Sequence, residues 1–237
     1  RFDVRNRRAE SWLAEQSSTL ITRIIDDTRS AVRLALQEGS ITGRNPRSVA
    51  LDIIGRIDPG TGRRTGGIVG LSGPQELYVR NARDELSGGN LANYLNRRAR
   101  DKRFDSYVNR AIRDGVDIPT DIQSKMIARY TDNLLKVRGE SIARTEAIRS
   151  LNQGQFEAMQ QGVESGTVQA VRKIWDSAGD DRVRDSHADL DGEMVGIDEP
   201  FISPTGAALM FPGDASMGAS GEDTINCRCR VRYDVDF

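Results

Sequence analysis

Apolar residues in the first two thirds of the chain recur at helical spacing, whereas those of the last quarter alternate or sit between turn formers. From Asn6 to Glu38, Trp12, Leu13, Leu20, Ile21, Ile24, Ile25, Val32 and Leu36 predict a long helix that Gly39 stops. Asn45-Pro46 offers an N-cap and first-turn pair for a short helix carrying Val49, Ile53, Ile54 and Ile57. The glycine-rich run from Asp58 to Gly67 reads as a mobile connector or a contact loop. It lacks the Gly-Lys-Ser/Thr ending of a phosphate loop, so nucleotide binding is not expected there. Pro74 and Pro119 stand where a first helical turn tolerates them. They open segments with Leu77, Ala82 and Leu86, and with Ile122, Met126, Ile127, Tyr130 and Leu134. Between them, Leu91, Tyr94 and Leu95 predict one short helix. Phe104, Tyr107, Val108, Ala111 and Ile112 predict another, ended by Gly115. A last helix from Val137 to Gln161 carries Ile142, Ala147, Leu151, Phe156 and Met159, with Arg144, Glu146 and Arg149 able to form ion pairs along it.

After Gly162 and Gly166 the period changes. Val168 to Ser177 is rich in β-branched and aromatic residues, with Val171 and Trp175 on one parity and Val168, Ala170, Arg172 and Ile174 on the other, which predicts a strand. Cys229 to Tyr233 alternates similarly and reads as its partner. Short extended pieces fall at 193–196 and 200–202, among Asp, Gly and Pro turn formers. The fold class predicted is α+β: a mainly helical body over 1–164 and a small β-rich domain over 165–237.

Composition narrows this picture. A length of 237 residues, 37% hydrophobic and 29% charged, suits one large domain or two modest ones. Aromatics at 5% are scarce, so the helices are expected to pack through Leu, Ile, Val and Ala. No run approaches the roughly 18 apolar residues of a membrane span, and no signal-peptide pattern opens the chain. A soluble protein is expected, although Arg1 in place of methionine deprives the missing targeting signal of weight. The net charge of −1 argues against a strong, uniform field for nucleic acid, and local basic runs stand at Arg5 to Arg8, Arg63-Arg64 and Arg97 to Arg100. Of 34 basic residues only Lys102, Lys125, Lys136 and Lys173 are lysine. Arginine suits bidentate pairing with carboxylate or phosphate at subunit or DNA contacts; it also suits plain solvated helix faces interleaved with Asp and Glu.

The chemistry concentrates in the last quarter. Trp175-Asp176, Asp180-Asp181-Arg182-Val183-Arg184, His187, Leu190-Asp191-Gly192, Pro200-Phe201, Pro212-Gly213-Asp214 and Asn226-Cys227-Arg228-Cys229 follow one another, and they include the only histidine and both cysteines. This series, with Ile142-Ala143-Arg144-Thr145-Glu146 upstream, resembles the Mu-F-like head-morphogenesis family, the minor head proteins of tailed phages. The resemblance covers the C-terminal half; before Tyr78 it is only a looser, helical likeness. It implies a minor capsid component of the virion, in several copies, inside the shell near the portal. Portal protein or capsid subunits would be its partners, with non-specific contact to packaged DNA and none to a membrane. It also implies a structural role for Arg144, Thr145 and Glu146, joining their helix to the C-terminal module. Docking would fall to the N-terminal stripe, with Trp12, Ile21 and Ile25 as its anchors.

Three readings compete for the C-terminal module. In one, His187, Cys227 and Cys229 bind zinc, since a Cys-x-Cys pair in an extended strand puts both thiols on one side, and Asp185, Asp189 or Asp191 supplies a fourth ligand. A Cys227–Cys229 disulfide is awkward at that spacing, and phage heads assemble in a reducing cytoplasm. In the second, His187 is a general acid or base, with Arg182 or Arg184 stabilising an anion and Asp181 or Asp191 orienting the imidazole, as in a nuclease-like or transferase-like enzyme carried in the head. In the third, which is preferred, Asp180, Asp181, Arg182, Arg184, His187 and Asp191 form a satisfied polar network over a small core, with Trp175 and Phe201 as its plugs. The expected function is therefore binding rather than catalysis.

Overall fold

A computed structural model describes residues 28–39, 42–62 and 64–236. Trp12, Ile21 and Ile25, the basic run Arg5 to Arg8, and Arg63 lie outside these residues. The architecture is α+β, and packing divides it into two compact units, Arg1–Arg138 and Gly139–Phe237.

In the first unit, residues 28–39 form helix α1. Helix α2 (Pro46–Ile54) starts where Asn45-Pro46 predicts: the Asn45 side chain accepts the Arg47 N–H at 2.7 Å, and Val49, Ala50, Ile53 and Ile54 are buried. Helix α3 (Gly73–Ser87) opens with a reciprocal capping box between Ser72 and Gln75. Helix α4 (Leu91–Leu95), a 3-10 turn (Lys102–Phe104) and helix α5 (Asp105–Asp114) follow, the last ending at Gly115 with φ 63°. Val79, Leu86, Tyr94, Val108, Met126 and Tyr130 are among the core residues of this unit. Two arginines of the Arg97 to Arg100 run are internal ties. Arg97 grips Glu85 in a bidentate pair (2.6 and 2.7 Å) and lies 5.5 Å over the Tyr130 ring, while Arg100 holds Asp105 at 2.9 Å through two nitrogens.

Two expectations are corrected here. The glycine-rich run is a small hairpin, β1 (Arg56–Ile57) against β2 (Arg64–Thr65), antiparallel with Arg56 opposite Thr65. Close backbone approach requires glycine at two positions flanking its turn: a Cβ on Gly55 (φ 85°), before the run, would lie 2.3 Å from the Thr65 carbonyl oxygen, and one on Gly67 only 2.4 Å from Ile54, whereas Gly62 and Gly66 face open space. Arg64 fixes the hairpin by pairing with Asp132 at 2.8 Å and donating to the Gly55 carbonyl at 2.6 Å. The two helices predicted from Pro119 and from Val137 are one, α6 (Thr120–Glu164, 45 residues). No proline separates them, and a lone Gly139 costs a helix only about 1 kcal/mol.

The second unit combines the later part of α6 with small antiparallel sheets. Strand β3 (Ala170–Asp176) leads to a single helical turn, α7 (Asp185–Ala188), and then to β4 (Met194–Gly196). A two-stranded ribbon, β5 (Phe201–Ile202) with β6 (Ala208–Leu209), precedes the turn α8 (Gly221–Thr224) and the last strand, β7 (Arg230–Asp236). The order β4-β3-β7 makes β3 central, with Trp175 opposite Val231 and Lys173 opposite both Val195 and Tyr233. The sequence pattern places a domain start at 165, where the β period begins. By packing, the unit reaches back to Gly139, because Asn152 and Phe156 of α6 are buried within it.

Candidate functional site

Strand β3 carries Trp175 into the core, where it is 0% exposed and meets Phe201 at 5.2 Å and His187 at 5.1 Å, both edge to face. Beyond Asp176 the chain turns out through solvent and returns at α7, whose one turn sets His187 inward. The second half of the site arrives from α8. Asn226 adopts a left-handed conformation (φ 56°), which asparagine tolerates better than most residues. Its backbone N–H donates to Thr145 Oγ1 and its Nδ2 to Ser141 Oγ, both at 2.9 Å on α6. From that anchored corner the chain alternates: Cys227 and Cys229 are buried, while Arg228 turns to the surface and pairs with Asp180 at 2.6 Å.

The donor atoms of His187, Cys227 and Cys229 all lie within 4.8 Å of one another. Imidazole Nδ1 stands 3.5 Å from the Cys227 sulfur and 3.7 Å from the Cys229 sulfur, and the three residues are 1%, 2% and 3% exposed. The thiols are free and do not titrate alike. A hydrogen bond from Cys227, with help from His187, pulls the Cys229 thiol below the ordinary thiol range; the same bond and burial push Cys227 above it. Beside them is a cavity of about 10 Å³ lined by Ala178, Arg182, Arg184, Asn226 and Arg228, room for roughly one water. Two thiols and an imidazole suit a soft divalent ion chemically.

The polar network is looser than the sequence reading has it. The Asp181 and Arg182 side chains are exposed. Arg184 donates to the Ile225 carbonyl, and Asp191 accepts the Ser177 N–H at 2.8 Å. Neither Asp181 nor Asp191 orients the imidazole: Nδ1 faces the thiols and Nε2 is buried without a hydrogen-bond partner among the described residues. Asp185 and Asp189 are exposed and do not join the three donors. In the helical motif Thr145 makes the tie to Asn226, while Arg144 is exposed and Glu146 half-buried. What holds the motifs together is a set of ties to backbone that charge patterning does not flag. Asn152, 1% exposed, donates to the carbonyls of Pro212 (2.9 Å) and Cys229 (3.2 Å). Asp214 of the Pro-Gly-Asp motif accepts the backbone N–H groups of Met210 (3.0 Å) and Ser216 (2.8 Å). The one available signal for Asn152 is its position four residues before Phe156, on the same helix face. Asn152→Ala should strand two buried carbonyls and cost about 1–3 kcal/mol in chemical denaturation, whereas truncating the exposed Asp181 should cost almost nothing.

Residues 93–232, which contain this entire site, match the family described as Phage Mu protein F like protein. The chain belongs to that family. Among the chain's relatives, the minor head protein GP7 of Bacillus phage SPP1 is 35% identical over 94 residues, 40% of this chain and 29% of that protein. The uncharacterized protein YqbB of Bacillus subtilis (strain 168) is 32% identical over 42% of this chain and 31% of its own length. An NAD(+)–arginine ADP-ribosyltransferase, EFV of Enterococcus faecalis, is 34% identical over 40% of this chain and 18% of its own length. The chain thus spans under a third of each of these relatives. No solved structure matches it. Among the described residues no helix is long and apolar enough to cross a membrane.

Proposed function

We propose that this chain works as a phage minor head protein, built into the capsid near the portal and acting by binding rather than by turnover. The observation that carries the reading is the family match over 93–232 together with the stretch shared with a protein named as a minor head protein. Its N-terminal apolar stripe, with Trp12, Ile21 and Ile25, would dock on portal or capsid subunits, since a stripe that long exceeds what its own small body needs. The C-terminal unit would present its arginine-lined loops to neighbouring copies or, without sequence preference, to packaged DNA. The state of His187 favours binding over acid–base chemistry. It is 1% exposed, its Nδ1 is engaged by two thiols, and no carboxylate orients it among the described residues.

Co-purification with portal protein tests the docking. Wild type should be recovered on portal complexes, and the double variant Ile21→Asp, Ile25→Asp should be lost from them while keeping its far-UV circular dichroism. Unchanged recovery would remove the docking assignment. A transferase-like enzyme is the second reading, raised by the relative that modifies arginine with NAD(+). Labelled NAD(+) and an arginine-rich acceptor decide it: transfer by wild type that His187→Gln abolishes would replace the binding reading.

A further inference from the structure

The geometry points to one zinc ion held by His187 Nδ1 and the sulfurs of Cys227 and Cys229, stapling the turn α7 to the start of strand β7. In a tetrahedral site with zinc–sulfur and zinc–nitrogen bonds of about 2.3 and 2.0–2.1 Å, the sulfur-to-nitrogen edge is about 3.6 Å. The Nδ1–sulfur separations here, 3.5 and 3.7 Å, lie on either side of that edge. A single imidazole nitrogen offers one lone pair or one N–H, so a plain hydrogen bond would favour one sulfur; near-equal approach to two is the pattern of three ligands around a common centre.

The surroundings fit a metal in two further ways. Burial to 3% or less removes all three donors from water, and two thiolates with one divalent ion are together neutral, which a low-dielectric interior accepts far better than bare thiolates. The site also has a structural purpose. Excluding the two cysteines, the buried apolar cluster around the site is Phe156, Trp175, Leu190, Phe201, Leu209, Phe211 and Val231, and the chain between β3 and β4 crosses it with only one helical turn. A metal tie between residue 187 and residues 227 and 229 closes a loop of about 40 residues, a constraint that a core of this size cannot supply alone.

The fourth position belongs to water, not to a carboxylate. Asp191 is held at Ser177, and Asp185 and Asp189 stand outside the donor group. The cavity of about 10 Å³ opens beside the sulfurs and has room for roughly one water. Structural zinc sites are almost always closed by four protein ligands; this one departs from that pattern, with three protein ligands and a water, and serves as a staple through the loop it closes rather than through a complete protein cage. This inference does not depend on a head role and stands or falls by metal chemistry alone.

Protein purified under reducing conditions without chelator should carry about one zinc per chain, and Cys227→Ser and Cys229→Ser should each carry less than about a tenth of that. A strong chelator should lower the melting temperature of the wild type by several degrees, and added zinc should restore it. Misfolding of a serine variant would mimic loss of the metal, so cobalt provides a second readout on wild-type protein: Co²⁺ should give intense thiolate-to-metal absorption characteristic of a tetrahedral site. Wild-type protein that stays metal-free after refolding with zinc, keeps its melting temperature in chelator, or binds cobalt without thiolate absorption would overturn the assignment.

Discussion

Replacing Trp175 with alanine is expected to destabilise the C-terminal unit by about 3–5 kcal/mol, a large share of the 5–15 kcal/mol typical of a domain. The indole is fully buried at the centre of the three-stranded sheet, opposite Val231 and edge to face with Phe201 and His187. Its Nε1 has no hydrogen-bond partner among the described residues, so no hydrogen bond is lost with the side chain: the loss is one of packing and of the cavity left behind, and relief of the unpaired N–H offsets part of it. Trp175→Phe keeps an aromatic plug and should cost clearly less. Urea titration followed by circular dichroism reads both, and a loss under about 1 kcal/mol for Trp175→Ala would mean that the sheet is not organised around this side chain. The effect should reach the proposed metal site, because the indole abuts the imidazole that aligns with the two sulfurs.

How far the fold was legible depends on which signal each element carries. Helix termini with local chemistry are readable: Asn45-Pro46 caps α2, and Gly115 ends α5 in a left-handed conformation. Strand β3 was readable by composition and β7 by alternation. The glycine-rich run carries no strand signal of its own, because glycine marks both loops and close backbone approach, and only the packing of the neighbouring Gly55 on Thr65 and of Gly67 on Ile54 reveals the hairpin. The split of α6 into two helices rests on no breaker residue between Leu134 and Val137, and the start of the second unit follows the β period, whereas long-range burial of Asn152 and Phe156 carries that unit back along α6.

The site divides in the same way. Rare residue types drew attention to His187, Cys227 and Cys229, and these three converge. Charge density drew attention to Asp181, Arg182 and Arg184, and these largely face solvent or bond to backbone, because an Asp- and Arg-rich turn satisfies itself locally without burying anything. Asp180 pairs with Arg228, a residue that sequence reading passed over between two cysteines, and that bond draws its carboxyl down to about 2. Ties to backbone carbonyls, as made by Asn152 and Lys173, have no residue-type signature at all.

Lys173 is the sharpest case, and its titration can be measured. It lies on the buried parity of β3 between Val171 and Trp175, 0% exposed, with its ammonium donating to the Met210 carbonyl at 2.9 Å and lying 5.0 and 5.4 Å over the rings of Phe156 and Phe201. Burial pulls its pKa from 10.5 down to about 8, against weaker attraction from Asp198, Asp214 and Glu199. Below pH 8 both the folded and unfolded chains carry the proton, and the full cost of burying the charge is present. Between pH 8 and 10.5 the unfolded chain binds more protons than the folded one, so stability rises with pH, by about 3 kcal/mol across the window at roughly 1.4 kcal/mol per pH unit. Tyr233, pushed by burial up to about 12, works in the opposite direction above pH 10, since the unfolded chain ionises first. Subtracting the Lys173→Met variant, which keeps Tyr233 and similar side-chain volume, removes that contribution. The wild-type minus variant stability should therefore climb by about 3 kcal/mol from pH 8 to 10.5. A difference that stays flat would mean that the two ring faces and the Met210 carbonyl solvate the ammonium as well as water does, and that the buried lysine carries no net penalty in this core.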